Sequence, residues 1–333
     1  MKRPSFLEGG FGMRRLWISG IFFLSFVFSL SSAWAQKTVR LSIATGSTGG
    51  IYYSIGGSLA DILSKNIPYL ETTAEVTTAS FANCLLVGEK KVDLAFAMAD
   101  TAWDAYQGKK PFKEKMALRA VAALYPSTMH VVTLEGKGIE KVVDLKGKRV
   151  STGSPGSGTE AMALRILGAY GLNPNKDLTR DKLSVPESIR ALKDGKIDAF
   201  FWVGGLPTAA ITDLGATPGV KMKLIGPAEA VPKMRARYGP FYVTGVIPTK
   251  TYPGQSGDVP AVVVWNLLVC DETMEENLAY DIVKTLFDHK PELVACHREM
   301  NSLSLEHQAA GGSPIPFHRG AIRYFTEKGF KIK

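Results

Sequence analysis

The sequence predicts an α/β protein built from two similar units, and three observations carry that expectation. Strand-like and helix-like periodicities alternate from Val39 onward. Two short motifs recur at nearly equal spacing. Thr45-Gly46-Ser47-Thr48-Gly49 returns as Thr152-Gly153-Ser154-Pro155-Gly156, 107 residues on, and Lys91-Val92-Asp93-Leu94-Ala95-Phe96 returns in outline as Lys196-Ile197-Asp198-Ala199-Phe200-Phe201, 105 residues on. Finally, 333 residues at 45% hydrophobic and 21% charged suffice for two cores and exclude disorder, collagen and coiled coil.

Taken in order, the chain opens on an export signal. Arg14 and Arg15 form a positive n-region, Leu16 to Leu30 an apolar h-region, and Ala33-Trp34-Ala35 a small-x-small cleavage site before Gln36, so residues 1–35 read as a signal peptide cleaved after Ala35. The h-region is short for a membrane span, and no cysteine follows it to carry a lipid. Either Met1 or Met13 can be the start. Cleavage removes Lys2, Arg3, Arg14 and Arg15 but only Glu8, so the net charge falls by three from +9, to +6. The remaining basic residues are spread without interleaved aromatics, which speaks for solvated faces and against a nucleic-acid surface.

Val39 to Thr45 alternates apolar and polar, runs into Gly46-Ser47-Thr48-Gly49-Gly50, and is followed by the helical stripe Ile55, Leu59, Ile62, Leu63. The same order continues with Ala74 to Thr77 as strand, Phe81 to Val87 as helix, Leu94 to Met98 as buried strand, Thr101 to Tyr106 as helix and Leu118 to Leu124 as strand. Ala123 to Thr133 is a candidate crossing into a second unit, and Phe241 to Ile247, followed by the strand Ala261 to Val269, a candidate return. Helices after Met274 and Gly320 complete the first unit.

Both repeated Gly-Ser motifs sit where a strand gives way to a helix. There the first helical turn leaves N–H groups unpaired, glycine admits a ligand to the backbone, and hydroxyls add neutral donors, which suits a carboxylate or other small anion. The other reading is N-capping by Ser47 or Ser157 in a tight turn. Two such loops facing each other could grip the two ends of one solute, at the carboxyl ends of the strands.

Enzyme motifs find little support. Gly156-Ser157-Gly158-Thr159-Glu160-Ala161 fits a degenerate dinucleotide fingerprint, but Pro155 precedes it and no acidic strand end follows at the needed distance. There is no P-loop lysine and no nucleophile elbow. The five histidines lack metal-ligand spacing. No catalytic residue, metal or cofactor is assigned. Cys84 lies on an apolar helix, and Cys270 and Cys296 flank a helix where an exported chain could oxidise them. Asp100 reads as a helix cap, and Trp103 and Trp202 as core residues.

Several stretches resemble the TAXI family, the solute-binding subunits of one class of TRAP transporters: Thr45-Gly46-Ser47-Thr48-Gly49-Gly50-Ile51-Tyr52-Tyr53 with Gly56-Gly57, Ala99-Asp100 with Asp104-Ala105-Tyr106, Ala123-Leu124-Tyr125-Pro126 before His130, Asp144-Leu145-Lys146-Gly147-Lys148-Arg149-Val150, Gly153 to Thr159, Tyr252-Pro253-Gly254-Gln255 and Pro314-Ile315-Pro316-Phe317-His318. The resemblance implies a type II periplasmic binding-protein fold, a Venus-flytrap of two doubly wound α/β lobes joined by two crossover strands. Lobe 1 comprises 36–131 and 243–333, and lobe 2 132–242. It further implies a monomer in the periplasm, not an enzyme, that captures a small organic acid (a dicarboxylate, a 2-oxo acid or an acidic amino acid such as glutamate) and delivers it to TRAP membrane subunits.

The implied ligand contacts are Ser47, Thr48 and Tyr52 in the first loop and Ser154, Ser157, Gly158 and Thr159 in the second. Met98 with Asp100, and Gly204 with Pro207, complete the pocket. Met98 stands where many relatives carry a polar residue, often Gln. The alternatives are the binding subunit of an ABC importer or a sensor of the same fold, and an exported α/β enzyme.

Overall fold

The computed structural model describes residues 38–332. The signal-peptide reading of residues 1–35 therefore falls outside the described residues.

The first half of the fold is wound as its periodicity requires. Strand β1 (Val39–Ala44) leads through the glycine loop into helix α1 (Ile51–Asn66), followed by β2 (Leu70–Glu75), α2 (Ser80–Gly88), β3 (Leu94–Met98) and α3 (Ala99–Gln107). β1 pairs in parallel with both β2 and β3. Along α1 the buried side chains Ile51, Ile55, Leu59, Ile62 and Leu63 recur at helical spacing, so one face packs on the sheet. All five residues of β3 are buried, as suits a strand covered on both faces.

The second half repeats this order with β5 (Arg149–Ser151), α4 (Gly158–Ala169), β6 (Thr179–Asp181), α5 (Val185–Lys193) and β7 (Ala199–Gly204), and β5 again pairs in parallel with the strands on either side. After it come α6 (Ala209–Ala216), β8 (Met222–Ile225), α7 (Val231–Tyr238) and β9 (Val243–Ile247).

Two long strands tie the halves into one ten-stranded sheet. Strand β4 (Leu118–Leu134) pairs through residues 118–128 with β10 (Val259–Asp271), and through 128–134 with β7 and β8. In turn β10 pairs with β3 near its C-terminal end and with β9 near its N-terminal end. The order β2-β1-β3-β10-β4 is thus reproduced as β6-β5-β7-β4-β8, with the fourth strand antiparallel in each case. The second crossing is β10 itself, whereas the segment expected to cross, Phe241 to Ile247, contributes the short edge strand β9.

Helices α8 (Glu276–Asp288), α9 (Lys290–Cys296), α10 (Leu305–Ala309) and α11 (Arg319–Glu327) finish the chain. A large core runs through β1, β3, β4 and β10, while a smaller one gathers around Phe200, Leu192 and Ile211. Ile247, Tyr252 and Ala261, assigned from sequence to the first lobe, pack into that smaller core beside Val132 and Val185. All three cysteines are free: Cys84 and Cys270 are buried in the core, and Cys296 is exposed with its thiol on the Ser54 carbonyl. The Cys270–Cys296 pairing is absent because one thiol is in a strand and the other at the surface end of α9. Among the described residues no helix is long and apolar enough to cross a membrane.

Candidate functional site

The parallel strands β1, β3, β5 and β7 end on a common cleft, as open α/β sheets dictate. Its cavity measures about 50 Å³. The lining comes from both halves: Ser47, Gly50, Ile51 and Tyr52 after β1, Ser80 at the head of α2 and Met98 ending β3, facing Ser154, Ser157, Gly158 and Thr159 after β5 and Gly204 ending β7.

The glycines are needed for close approach. Gly153 has φ +101°, a conformation L side chains rarely adopt, and a Cβ there would stand 2.7 Å from the Thr159 methyl. At Gly158 a Cβ would lie 2.5 Å from the Met98 sulfur and 2.8 Å from the Ser80 hydroxyl, so here the backbone of the second half packs directly on side chains of the first.

Among the described lining residues none is charged. Instead the first residues of α1, α2, α4 and α5 line the cleft. Such termini carry partial positive charge and unpaired N–H groups. The four differ in how they are satisfied. In α4, Ser157 Oγ caps the helix by accepting from Glu160 N at 3.0 Å. At α5, Glu187 already brings a carboxylate, accepting from Ser184 N at 2.8 Å and Ser184 Oγ at 2.6 Å. The N-caps of α1 and α2, Gly50 and Ala79, provide no side-chain cap, and although the Ala82 N–H of α2 donates to the Gly156 carbonyl at 3.3 Å, the remaining first-turn N–H groups make these two termini the attractive ends for a negative group.

A polar floor lies below. The Tyr52 hydroxyl donates to Asn266 Oδ1 at 2.5 Å, and Asn266 Nδ2 donates to the Tyr125 carbonyl at 2.9 Å and Ser127 Oγ at 2.7 Å. Tyr52 stacks on Phe96 with ring centroids 5.1 Å apart. Trp202 forms an apolar wall, its indole N–H donating to Thr208 Oγ1 at 3.0 Å. Behind it, His130 is fully buried, with Nε2 at 2.8 Å from the Tyr252 hydroxyl and Nδ1 at 3.3 Å from the Trp202 carbonyl, and burial lowers its pKa to about 4. The Tyr252 hydroxyl also accepts from Thr208 N at 2.9 Å, so this chain of polar contacts ties Trp202 on β7 to the loop that follows the strand.

Of the sequence-predicted residues, Ser47, Tyr52, Met98, Ser154, Ser157, Gly158, Thr159 and Gly204 line the cleft. Thr48, Asp100 and Pro207 do not. Thr48 is exposed and lies outside the cleft lining. Asp100 is fully buried at the first turn of α3, where its Oδ1 accepts from Thr101 N at 2.7 Å and its Oδ2 from Arg165 Nη1 at 3.0 Å and the Tyr242 hydroxyl at 2.5 Å. Pro207 belongs to a clasp at the rim. There Arg298 Nε donates to the Leu206 carbonyl at 2.7 Å, Leu206 N to Glu299 Oε1 at 2.9 Å, and the Pro207 carbonyl lies 3.4 Å from His297 Nε2.

Tyr125, Ser127 and Asn266 were missed from sequence because they lie on β4 and β10, read there as structural strands. Trp202, taken for core, is half-buried at the cleft. Ser80 could have been found, since it follows a strand and opens a helix as Ser157 nearly does. No three His, Cys, Asp or Glu residues gather as a metal cage among the described residues.

The NMT1-like family matches residues 43–329 of this chain. Solved structures align along most of the chain. A binding-protein component of an ABC phosphonate transporter from Pseudomonas aeruginosa aligns at 13% identity over 79% of this chain and 80% of that one, with a TM-score of 0.51. The alkanesulfonate-binding protein SsuA from Xanthomonas axonopodis pv. citri aligns at 17% identity over 88% and 85%, TM-score 0.46, and a putative L-cystine ABC transporter protein from Listeria monocytogenes at 18% over 79% and 96%, TM-score 0.47. The fold is that of a type II periplasmic binding protein.

Proposed function

The chain belongs to the NMT1-like family, and from that footing we propose that it is an extracytoplasmic solute-binding protein that captures a small organic acid between its two halves and delivers it to a transporter of the TRAP class. The observation that carries the reading is the cleft itself. Helix termini and hydroxyls from both halves converge on it, with no charged side chain among the described lining residues. A carboxylate is attracted to the uncapped ends of α1 and α2, and the rest of the solute lies against Met98, Trp202 and Val203. A dicarboxylate, a 2-oxo acid or an acidic amino acid has this combination of acceptors and a short carbon chain, and Met98 favours those with an apolar flank.

No bond is made or broken. Solute bridging the two glycine loops favours the closed arrangement, in which Glu299 and Arg298 hold Leu206 across the rim. The division into lobes at about residues 132 and 243 and the membrane partner both belong to this proposal, the latter supported by the TAXI-like loops around Ser47 and Ser154.

Thermal unfolding of the purified protein with a panel of such acids tests it. An acid at 1,000 times its dissociation constant adds about 4 kcal/mol, a shift of several degrees. A selective shift supports the proposal, and none from any acid refutes it. Uptake of the selected acid by cells then reads the transporter class: it stops on collapse of the ion gradient for a TRAP system, and on loss of ATP for an ABC importer.

A further inference from the structure

Tyr125 is the polar residue of the cleft whose chemistry the fold leaves unfinished. It sits on β4, lines the cleft, and is fully buried, yet its hydroxyl has no hydrogen-bond partner among the described residues. Buried polar atoms in folded proteins are nearly always paired, so an orphan beside an open cavity calls for a partner that enters from outside the chain.

Other polar groups of the cleft lining are already engaged with one another. Asn266 holds the Tyr52 hydroxyl, the Tyr125 carbonyl and Ser127 Oγ, and Ser80 Oγ accepts from Met98 N at 3.1 Å. Burial above all raises the pKa of the phenol well above the ordinary value, and the titratable groups that act on it, Tyr52, Glu299 and Cys296, push in the same direction. At neutral pH the group therefore keeps its proton and is a donor.

We infer that the Tyr125 hydroxyl donates a hydrogen bond to an oxygen of the bound solute, which makes it a specificity-determining contact for acids that place a carboxylate or oxo oxygen at the floor of the cleft. The inference rests on the solute-binding reading above and adds the point at which the solute is read. It also explains why a phenol is kept there: a phenylalanine would fill the same space without the unpaired group, so the hydroxyl is favourable only in the liganded state.

The substitution Tyr125→Phe tests this, with 2-oxoglutarate, L-glutamate, succinate and glutarate as probes. The variant is expected to melt, without solute, at the same temperature as the parent or higher, because an unpaired hydroxyl has been removed. Its affinity for the best probe, measured by calorimetry, is expected to fall about tenfold or more. Tyr52→Phe is the contrast: its hydroxyl already has a partner, so that variant loses stability even without solute. If the parent binds a probe and Tyr125→Phe binds it within threefold as tightly, the inference is overturned and the solute-binding reading stands. If the parent binds none, both fall together.

Discussion

Replacing Arg165 by alanine is expected to cost the folded protein about 3–5 kcal/mol, the largest effect of any single substitution considered. Arg165 projects from α4 with its side chain 12% exposed and meets two carboxylates of α3, Asp100 at 0% and Asp104 at 8%. Its Nη1 also donates to the Tyr242 hydroxyl at 2.5 Å, and its guanidinium lies 4.5 Å from the centre of the Tyr238 ring. Among the described residues Arg165 is the only cation in an ion pair with either of these two buried acids, and Lys109 acts on Asp104 from farther away. Taking it away leaves both carboxylates buried one turn apart on a single helix, where neither attraction nor hydration offsets their desolvation. Burial already pushes the Asp104 carboxyl upward even with the guanidinium beside it. Urea denaturation at neutral pH reads the loss directly. The combined variant Asp100→Asn, Asp104→Leu, Arg165→Met is expected to recover most of it, since no uncompensated charge remains. A loss below about 1 kcal/mol in Arg165→Ala, the range of a surface pair, would show that the network is solvated.

The second large effect is a loss of stability in mild acid, assigned to His130. In the unfolded chain this imidazole titrates near 6.5; in the folded protein burial lowers its pKa to about 4. Between those values the unfolded chain binds a proton that the folded protein excludes, so the contribution is complete above pH 6.5 and is lost as pH falls toward 4. The loss comes to about 3 kcal/mol at pH 4. Tyr252 is the titratable group in direct contact, and it stays protonated throughout, since burial raises its pKa to about 12. His297, His307 and His318 are lowered too, chiefly by burial, and add to the wild-type slope in the same direction. The difference between wild type and His130→Gln isolates the one residue. The wild type is expected to lose about 3 kcal/mol more than the variant between pH 7.5 and pH 4 in urea unfolding; equal losses would contradict the assignment. Because Trp202 is braced through His130, the same titration is expected to change its fluorescence.

The duplicated architecture could be read from sequence because it lies in local patterns. A strand that ends in Thr-Gly-Ser and opens a helix is a short-range signal, and its recurrence 107 residues later corresponds to β5 repeating β1. The two long strands were harder to see. Pro126 interrupts the apolar run that ends near Leu124, yet β4 continues through it, because Pro126 pairs with Trp265 next to a register shift in β10 where a missing N–H is tolerated.

For the cleft, the residues on the glycine loops were legible and the floor was not. Nothing near Tyr125 in the sequence indicates Asn266, which comes beside it only once β10 inserts between β3 and β4. Asp100 shows the converse. It looks like a polar group at a strand end, and its partner Arg165 lies 65 residues away on the repeat of the first helix, so only the packed structure reveals that its charge is already matched.

The most direct measurement of the central claim is a calorimetric titration of the purified protein with the acid selected by the melting panel, alongside the variant Ser154→Trp. Ser154 is half-buried in the loop between β5 and α4 and lines the cleft, so an indole there occupies the space the solute needs. The account requires one solute bound per chain in the wild type and none in Ser154→Trp, with the unfolding transition of the unliganded variant unchanged. Equal affinity in the two proteins, or heats of dilution alone from every acid in the wild type, would contradict it.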